Sequence, residues 1–144
     1  GEGSASSSNR RVVQALVFGF ATATATGDGK YYFRVPSPLN GMSLVAVAAN
    51  VIDAGTTNAT NIDIARCAAT TAGAICTGTG ASIADMLGSN ITIDSGENDT
   101  ATAAAAAVID TANDDVTTGQ VLRIDVDAVS IIPATGLIVT LEFQ

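Results

Sequence analysis

The chain reads as an all-β protein: an antiparallel two-sheet β-sandwich, jelly-roll-like, with about eight strands. Three observations predict this. The apolar runs are short and rich in β-branched residues, they are bounded by Gly, Asn, Asp and Pro, and no stretch carries the apolar stripe of an amphipathic helix. At 144 residues and 14.3 kDa the chain has the size of one domain around a single core.

Taken in order, "GEGSASSSNRR" (1–11) has no apolar periodicity and is expected to be a flexible arm, leaving 12–144 as the domain. "VVQALVFGFA" (12–21) and "KYYFRV" (30–35) are expected strands joined at "TGDG", where Asp28-Gly29 signals a hairpin turn. Pro36, Pro38 and Asn40-Gly41 then break the ladder. "MSLVAVAANVI" (42–52) is almost continuously apolar, as a strand covered on both faces would be. "NIDIARC" (61–67) alternates Ile62 and Ile64 with Asn61 and Asp63. "ADML" suits one helical turn or an extended crossing, and "NITID" (90–94) a short strand. The run "ATAAAAAVI" (101–109) is expected as a strand, because Thr100, Thr102, Val108 and Ile109 flank the alanines and no cap supports a helix. "QVLRIDVDAV" (120–129) and "TGLIVTLEFQ" (135–144) complete the sandwich, the latter with Leu137, Val139, Leu141 and Phe143 on one face.

Composition narrows the function classes. Six basic against fourteen acidic residues give a net charge of −8, which repels phosphate backbones and argues against nucleic-acid binding. No segment approaches the roughly 20 apolar residues that span a bilayer. "VVQALVFGFATATA" after two arginines superficially resembles a signal-peptide start, but Gln14 interrupts it and a strand fits better. The low charged content, 14%, suggests surfaces covered by neighbouring subunits or by Thr, Ser and Asn.

The chemistry-bearing residues argue for no cofactor, metal or catalytic site. With no His and two Cys, a zinc site lacks ligands. Cys67 and Cys76 flank "AATTAGAI" at a spacing that suits either a disulfide staple or two buried thiols. The acidic stretch "VIDTANDDVTTGQVLRIDVDAV" (108–129) fails as an EF-hand loop: Asn113 is out of phase, Asp115 occupies the Gly position and Gln120 stands near the closing Glu. On a period of two, Leu122, Ile124, Val126 and Ala128 share one face and Arg123, Asp125 and Asp127 the other, which is expected to meet solvent or another subunit. Asp125 and Asp127 are spaced for paired-carboxylate chemistry, but the chain has no Trp to stack a sugar. A nucleophile would lack a His base, and Lys30 in "GDGK" lies beside a turn without the phosphate-loop spacing. Tyr31 and Phe33 are expected in the core. Tyr32 and Arg34 on the opposite face are candidates for an interface or glycan contact. Sequons at Asn58, Asn90 and Asn98 fall within expectation for a Thr- and Asn-rich chain.

The phrases "TGDGKYYFRVPSPLNGMSLVAV", "DMLGSNITIDSGE", "VIDTANDDVTTGQVLRIDVDAV" and "GLIVTLEF" resemble, in order and spacing, a β-sandwich domain of structural proteins of tailed bacteriophages, described as head-fibre, head-decoration or tail-associated. The resemblance covers residues 26–144. It implies a non-enzymatic virion component with a jelly-roll-like fold, exposed on the particle and assembled in the bacterial cytoplasm. It also implies self-association, often as a homotrimer, and a capsid or tail protein as partner. The loop "CAATTAGAICTGTGASIA" is longer than in typical relatives, and the N-terminal arm lies outside the shared pattern. In this setting Arg10 and Arg11 are candidate anchors of the arm onto an acidic capsid surface. A different function class fits the same scaffold: an adhesin tip or carbohydrate-binding module recognising a host surface glycan through loops at one end, with residues 68–82 the first candidate.

Overall fold

In the last apolar run the alternating pattern turns directly into architecture, because Leu137, Val139, Leu141 and Phe143 are all buried on one face. The computed structural model describes residues 9–77 and 79–144. Its ten strands are β1 (Arg11–Ala23), β2 (Gly27–Arg34), β3 (Leu44–Asp53), β4 (Thr60–Ala69), β5 (Ala81–Asp85), β6 (Leu87–Ser89), β7 (Ile91–Ile93), β8 (Val108–Ile109), β9 (Val121–Ala128) and β10 (Thr135–Phe143). Helix among the described residues is confined to 3-10 turns at Ser37–Leu39 and Thr100–Thr102. The all-β, antiparallel expectation is borne out.

The strands form two main sheets. One has the order β1-β10-β3, and the other β2-β9-β4-β5 with β7 also paired to β4. From β1 to β4 successive strands alternate between the two sheets, and β4 then pairs with its successor β5 inside the second; β1 pairs with β10 and β2 with β9. This is the winding of a jelly roll, a hairpin of strands rolled up so that the first and last strands meet. Arg11 therefore lies opposite Phe143. The core between the sheets joins Val139, Leu141 and Phe143 to Ile62 and Ile64 of β4 and to Leu122, Ile124 and Val126 of β9.

A jelly roll calls for a fourth strand beside β3, and the alanine-rich run occupies that place without forming one. It approaches β3 at its first end, where Val51 N–H donates to Asn98 O at 3.0 Å and Ala49 N–H to Thr100 Oγ1 at 3.3 Å. It then bows away, and only Val108–Ile109 is strand, paired with β6. The expected strand over 101–109 is thus corrected. Methyl groups bury too little apolar area to hold a ladder closed, and the Asp99 side chain caps Ala101 N–H, starting a 3-10 turn instead. A groove of about 440 Å³ remains between Val45–Val47 and the alanines.

Three further expectations need correction. "TGDG" does not close a hairpin, since β1 and β2 lie in different sheets; residues 24–26 cross between them, and Gly27 and Gly29 take positive φ at the start of β2, where its register with β9 shifts. β3 is not covered on both faces: Ala49 and Val51 are buried, whereas Ile52 is exposed on the outer side. Arg11 belongs to β1 and not to an arm, while residues 1–8 of the expected arm lie outside the described residues.

Candidate interaction surfaces

The two outer sheet faces differ in chemistry. On the β2-β9-β4-β5 sheet the register places Tyr32, Arg123, Ala65 and Asp85 in one row and Asp63 opposite Asp125 in the next. The expected outward face of β9 is not simply wet, because Asp125 is only 4% exposed. Its carboxylate accepts two hydrogen bonds from Arg123, Nε to Oδ1 at 2.8 Å and Nη2 to Oδ2 at 2.9 Å. It also accepts the Gly29 backbone N–H at 2.8 Å. Arg123 has a second acidic neighbour in Asp28 at 3.5 Å. The hydrogen bond to Asp125, opposed by burial, raises the guanidinium above its ordinary value, so it stays charged.

A disulfide brings the cover. Cys67 on the outer side of β4 is joined to Cys76, across nine residues, and Cys76 O accepts from Arg123 Nη1 at 3.2 Å. The long loop after β4 is thereby held over the sheet, with Cys76 at a φ of 77°. Of the two readings left open by the spacing, the structure has the staple.

Next to this pair lies a carboxyl couple that no motif announced. Asp63, buried in β4, hydrogen-bonds Asp85 on β5. Burial, the Asp85 contact and the nearby Asp127 push Asp63 up to about 8, while its acceptance of the Ile64 N–H, at 2.8 Å, pulls the other way. At neutral pH Asp63 is therefore a neutral donor. Only its place between Ile62 and Ile64 hints at burial, and nothing in the sequence joins it to Asp85, a partner set by strand pairing. Asp127 accepts from Asn90 Nδ2 at 2.7 Å and does not join Asp125 in a catalytic pair. Among the described residues, no group of three or more acidic, His or Cys side chains is placed to hold a metal ion.

Tyr32 and Arg34 both reach this outer face, Tyr32 half-exposed with its ring over Gly29. A side chain at Gly29 would displace the Tyr32 ring, and its φ of 70° favours glycine there. The other named candidates lie elsewhere. Arg10 pairs with Glu142 at 2.8 Å and with Gln144 at 3.1 Å, so its head group is held against the end of β10. Arg11 Nη1 donates to Arg10 O at 3.2 Å. The sequon side chains at Asn90 and Asn98 are engaged internally, Asn98 with Val51 O and Ile52 O.

The outer face of the β1-β10-β3 sheet is apolar by comparison. Its rows are Val12, Glu142 and Ala46; then Gln14, Thr140 and Ala48; then Leu16, Ile138 and Asn50. Beyond them Gly136 sits between Phe20 and Ile52, each within about 3 Å of where its Cβ would stand. Leu16 is 59% and Phe20 71% exposed.

Among the described residues, no helix is long and apolar enough to cross a membrane. No protein family, no curated protein and no solved structure matches the chain.

Proposed function

We propose that the chain is a non-enzymatic structural module of a bacteriophage virion, decorating or projecting from the particle as an oligomer, with a homotrimer as the expected form. The observation that carries this reading is the rolled strand order, an architecture recurrent in capsid and lectin domains. The four phrases that resemble phage structural proteins favour the capsid use over the lectin one. The stapled loop and the Arg123–Asp125 pair lock the scaffold, as a particle component exposed to the medium requires.

Quantitative mass spectrometry and labelled-antibody electron microscopy of purified particles test the reading. The chain is expected at a fixed copy number per particle, and its absence from particles would overturn the proposal. Removing residues 1–8 is expected to lower occupancy while leaving the fold intact; Arg10 and Arg11 are retained because they contact β10. A glycan array with the isolated domain addresses the adhesin reading, for which saturable binding lost on deleting residues 71–75 would be the positive result.

A further inference from the structure

We infer that the outer face of the β1-β10-β3 sheet is the surface through which this chain binds a second copy of itself. The inference rests on the oligomeric part of the proposed function and names its contact. Charge decides which face two copies can share. Each chain carries a net −8, so copies repel wherever acidic surfaces meet. The other sheet presents Asp28, Asp85 and Asp127 on its outer side or rim together with Arg34 and Arg123, the latter 3.5 Å from Asp28, so a contact there would have to desolvate charges of both signs. On the β1-β10-β3 face the rows from Val12 to Asn50 contain one acidic residue, Glu142, and Arg10 neutralises it at 2.8 Å.

The half of the face farther from that ion pair is apolar, formed by Leu16, Ile138, Phe20 and Ile52 around Gly136. Leu16, Phe20 and Ile52 leave 59%, 71% and 44% of their area exposed. From strand spacing and rise, three strands of this length span on the order of 400 Å². That whole face is about half of one partner's share in a standard interface, so the contact between copies belongs among the weak ones. β1 adds a reason for a cover. Between Val12 and Ala23 it contains no charge and no proline, and its register with β10 shifts at Leu16/Phe18 and again before Ala23, so its apolar side chains favour contact through the face rather than strand pairing along the edge.

Light scattering coupled to size exclusion at about 100 µM, on the intact chain and on Leu16→Glu, Phe20→Lys and Tyr32→Glu, tests the inference. The intact chain is expected to elute at two or three times 14.3 kDa. Both Leu16→Glu and Phe20→Lys should be monomeric at that concentration, with an unfolding midpoint within a few degrees of the parent. Phe20→Lys lowers the net negative charge, so its dissociation would separate apolar contact from charge repulsion. Tyr32→Glu, on the opposite sheet, should retain the parent mass. A monomeric parent overturns the inference. An oligomer that survives both β1 substitutions, or that is lost in Tyr32→Glu alone, overturns the surface while leaving self-association standing. Particle occupancy, measured separately, decides the virion role.

Discussion

Two carboxyl groups on the outer sheet face show how burial assigns opposite roles to the same residue type. Asp125 is held as an acceptor by Arg123 and Gly29, whereas Asp63 keeps its proton and shares it with Asp85. Replacing Asp125 with Ala would leave Arg123 largely buried with its closest acceptor gone, at an expected cost of about 3 kcal/mol in chemical denaturation. Asp115→Ala, which removes a partner of Arg66 that is 65% exposed, should cost less than about 1 kcal/mol. Asp63 predicts a pH dependence. Its value rises from 3.8 in the unfolded chain to about 8 in the fold. Its contribution is therefore fully present below pH 3.8 and declines as pH rises, because the unfolded chain releases a proton that the folded chain keeps until about pH 8. Asp63→Asn should preserve acceptance from Ile64 and donation to Asp85 while removing this decline. Thermal melts should show the variant more stable than the parent at pH 8.5, by roughly 5 °C, with the gap closing toward pH 4. A gap independent of pH would count against the buried proton. The sequence exposes only half of this chemistry. Period-two reasoning places Arg123, Asp125 and Asp127 on one face, but says nothing of the Cys76 carbonyl or Asp85, which come from distant segments.

At the scale of elements, legibility follows the number of branched apolar side chains. Alternate positions are buried at Ile62 and Ile64 in β4, Leu122, Ile124 and Val126 in β9, and Leu137, Val139 and Leu141 in β10, and the pattern survives folding because burial at each such site outweighs local alternatives. The alanine run has no such reserve: a methyl offers little area, so the Asp99 cap and the Asp94 side chain, which accepts from Ala104 N–H, dictate its path. Asp28-Gly29, read as a hairpin turn, lies inside β2 instead, where Gly29 takes a positive φ within the strand, since dihedral chemistry is local and sheet partnership is not. Amides of Ala105, Ala106 and Ala107 should consequently exchange with deuterium orders of magnitude faster than those of Ile124 and Val139. Equal protection would restore the strand reading. The loop after β4 is the element whose stability depends on a covalent link. Removing the nine-residue staple with Cys67→Ser and Cys76→Ser should cost roughly 2.5 kcal/mol by loop entropy, lowering the melting temperature by roughly 8 °C. The same change should free the loop from Arg123 and raise its exchange.

Across the whole molecule, pairing joins residues far apart in the chain, and its clearest case is β10, the central strand between β1 and β3. Through it the first and last strands close the roll, with Arg11 opposite Phe143 and Leu44 on its other side. Such topology has no stable half. Until residue 143 is in place, β1 and β3 lack their shared partner, and the face of the second sheet that carries Ile62, Ile64, Leu122 and Ile124 has no opposing layer. Leu137, Val139, Leu141 and Phe143 each bury a side chain worth about 2 kcal/mol, so together they contribute about 8 kcal/mol. That is comparable with the entire stability of about 5–15 kcal/mol expected of a domain. A chain ending at Ala134 should therefore be unfolded by far-UV circular dichroism and hydrogen exchange, including in the β4–β9 pairs that the deletion does not touch. The intact chain should unfold in one transition, with backbone dichroism and Tyr31/Tyr32 fluorescence superimposing, because both sheets draw on one core. Its refolding should be slow for its size, on the millisecond-to-second scale of non-local β topologies. If the truncated chain kept a folded β2-β9-β4-β5 sheet, or the two probes gave separate midpoints, the sheets would be independent units and closure by β10 would not be what holds the molecule together.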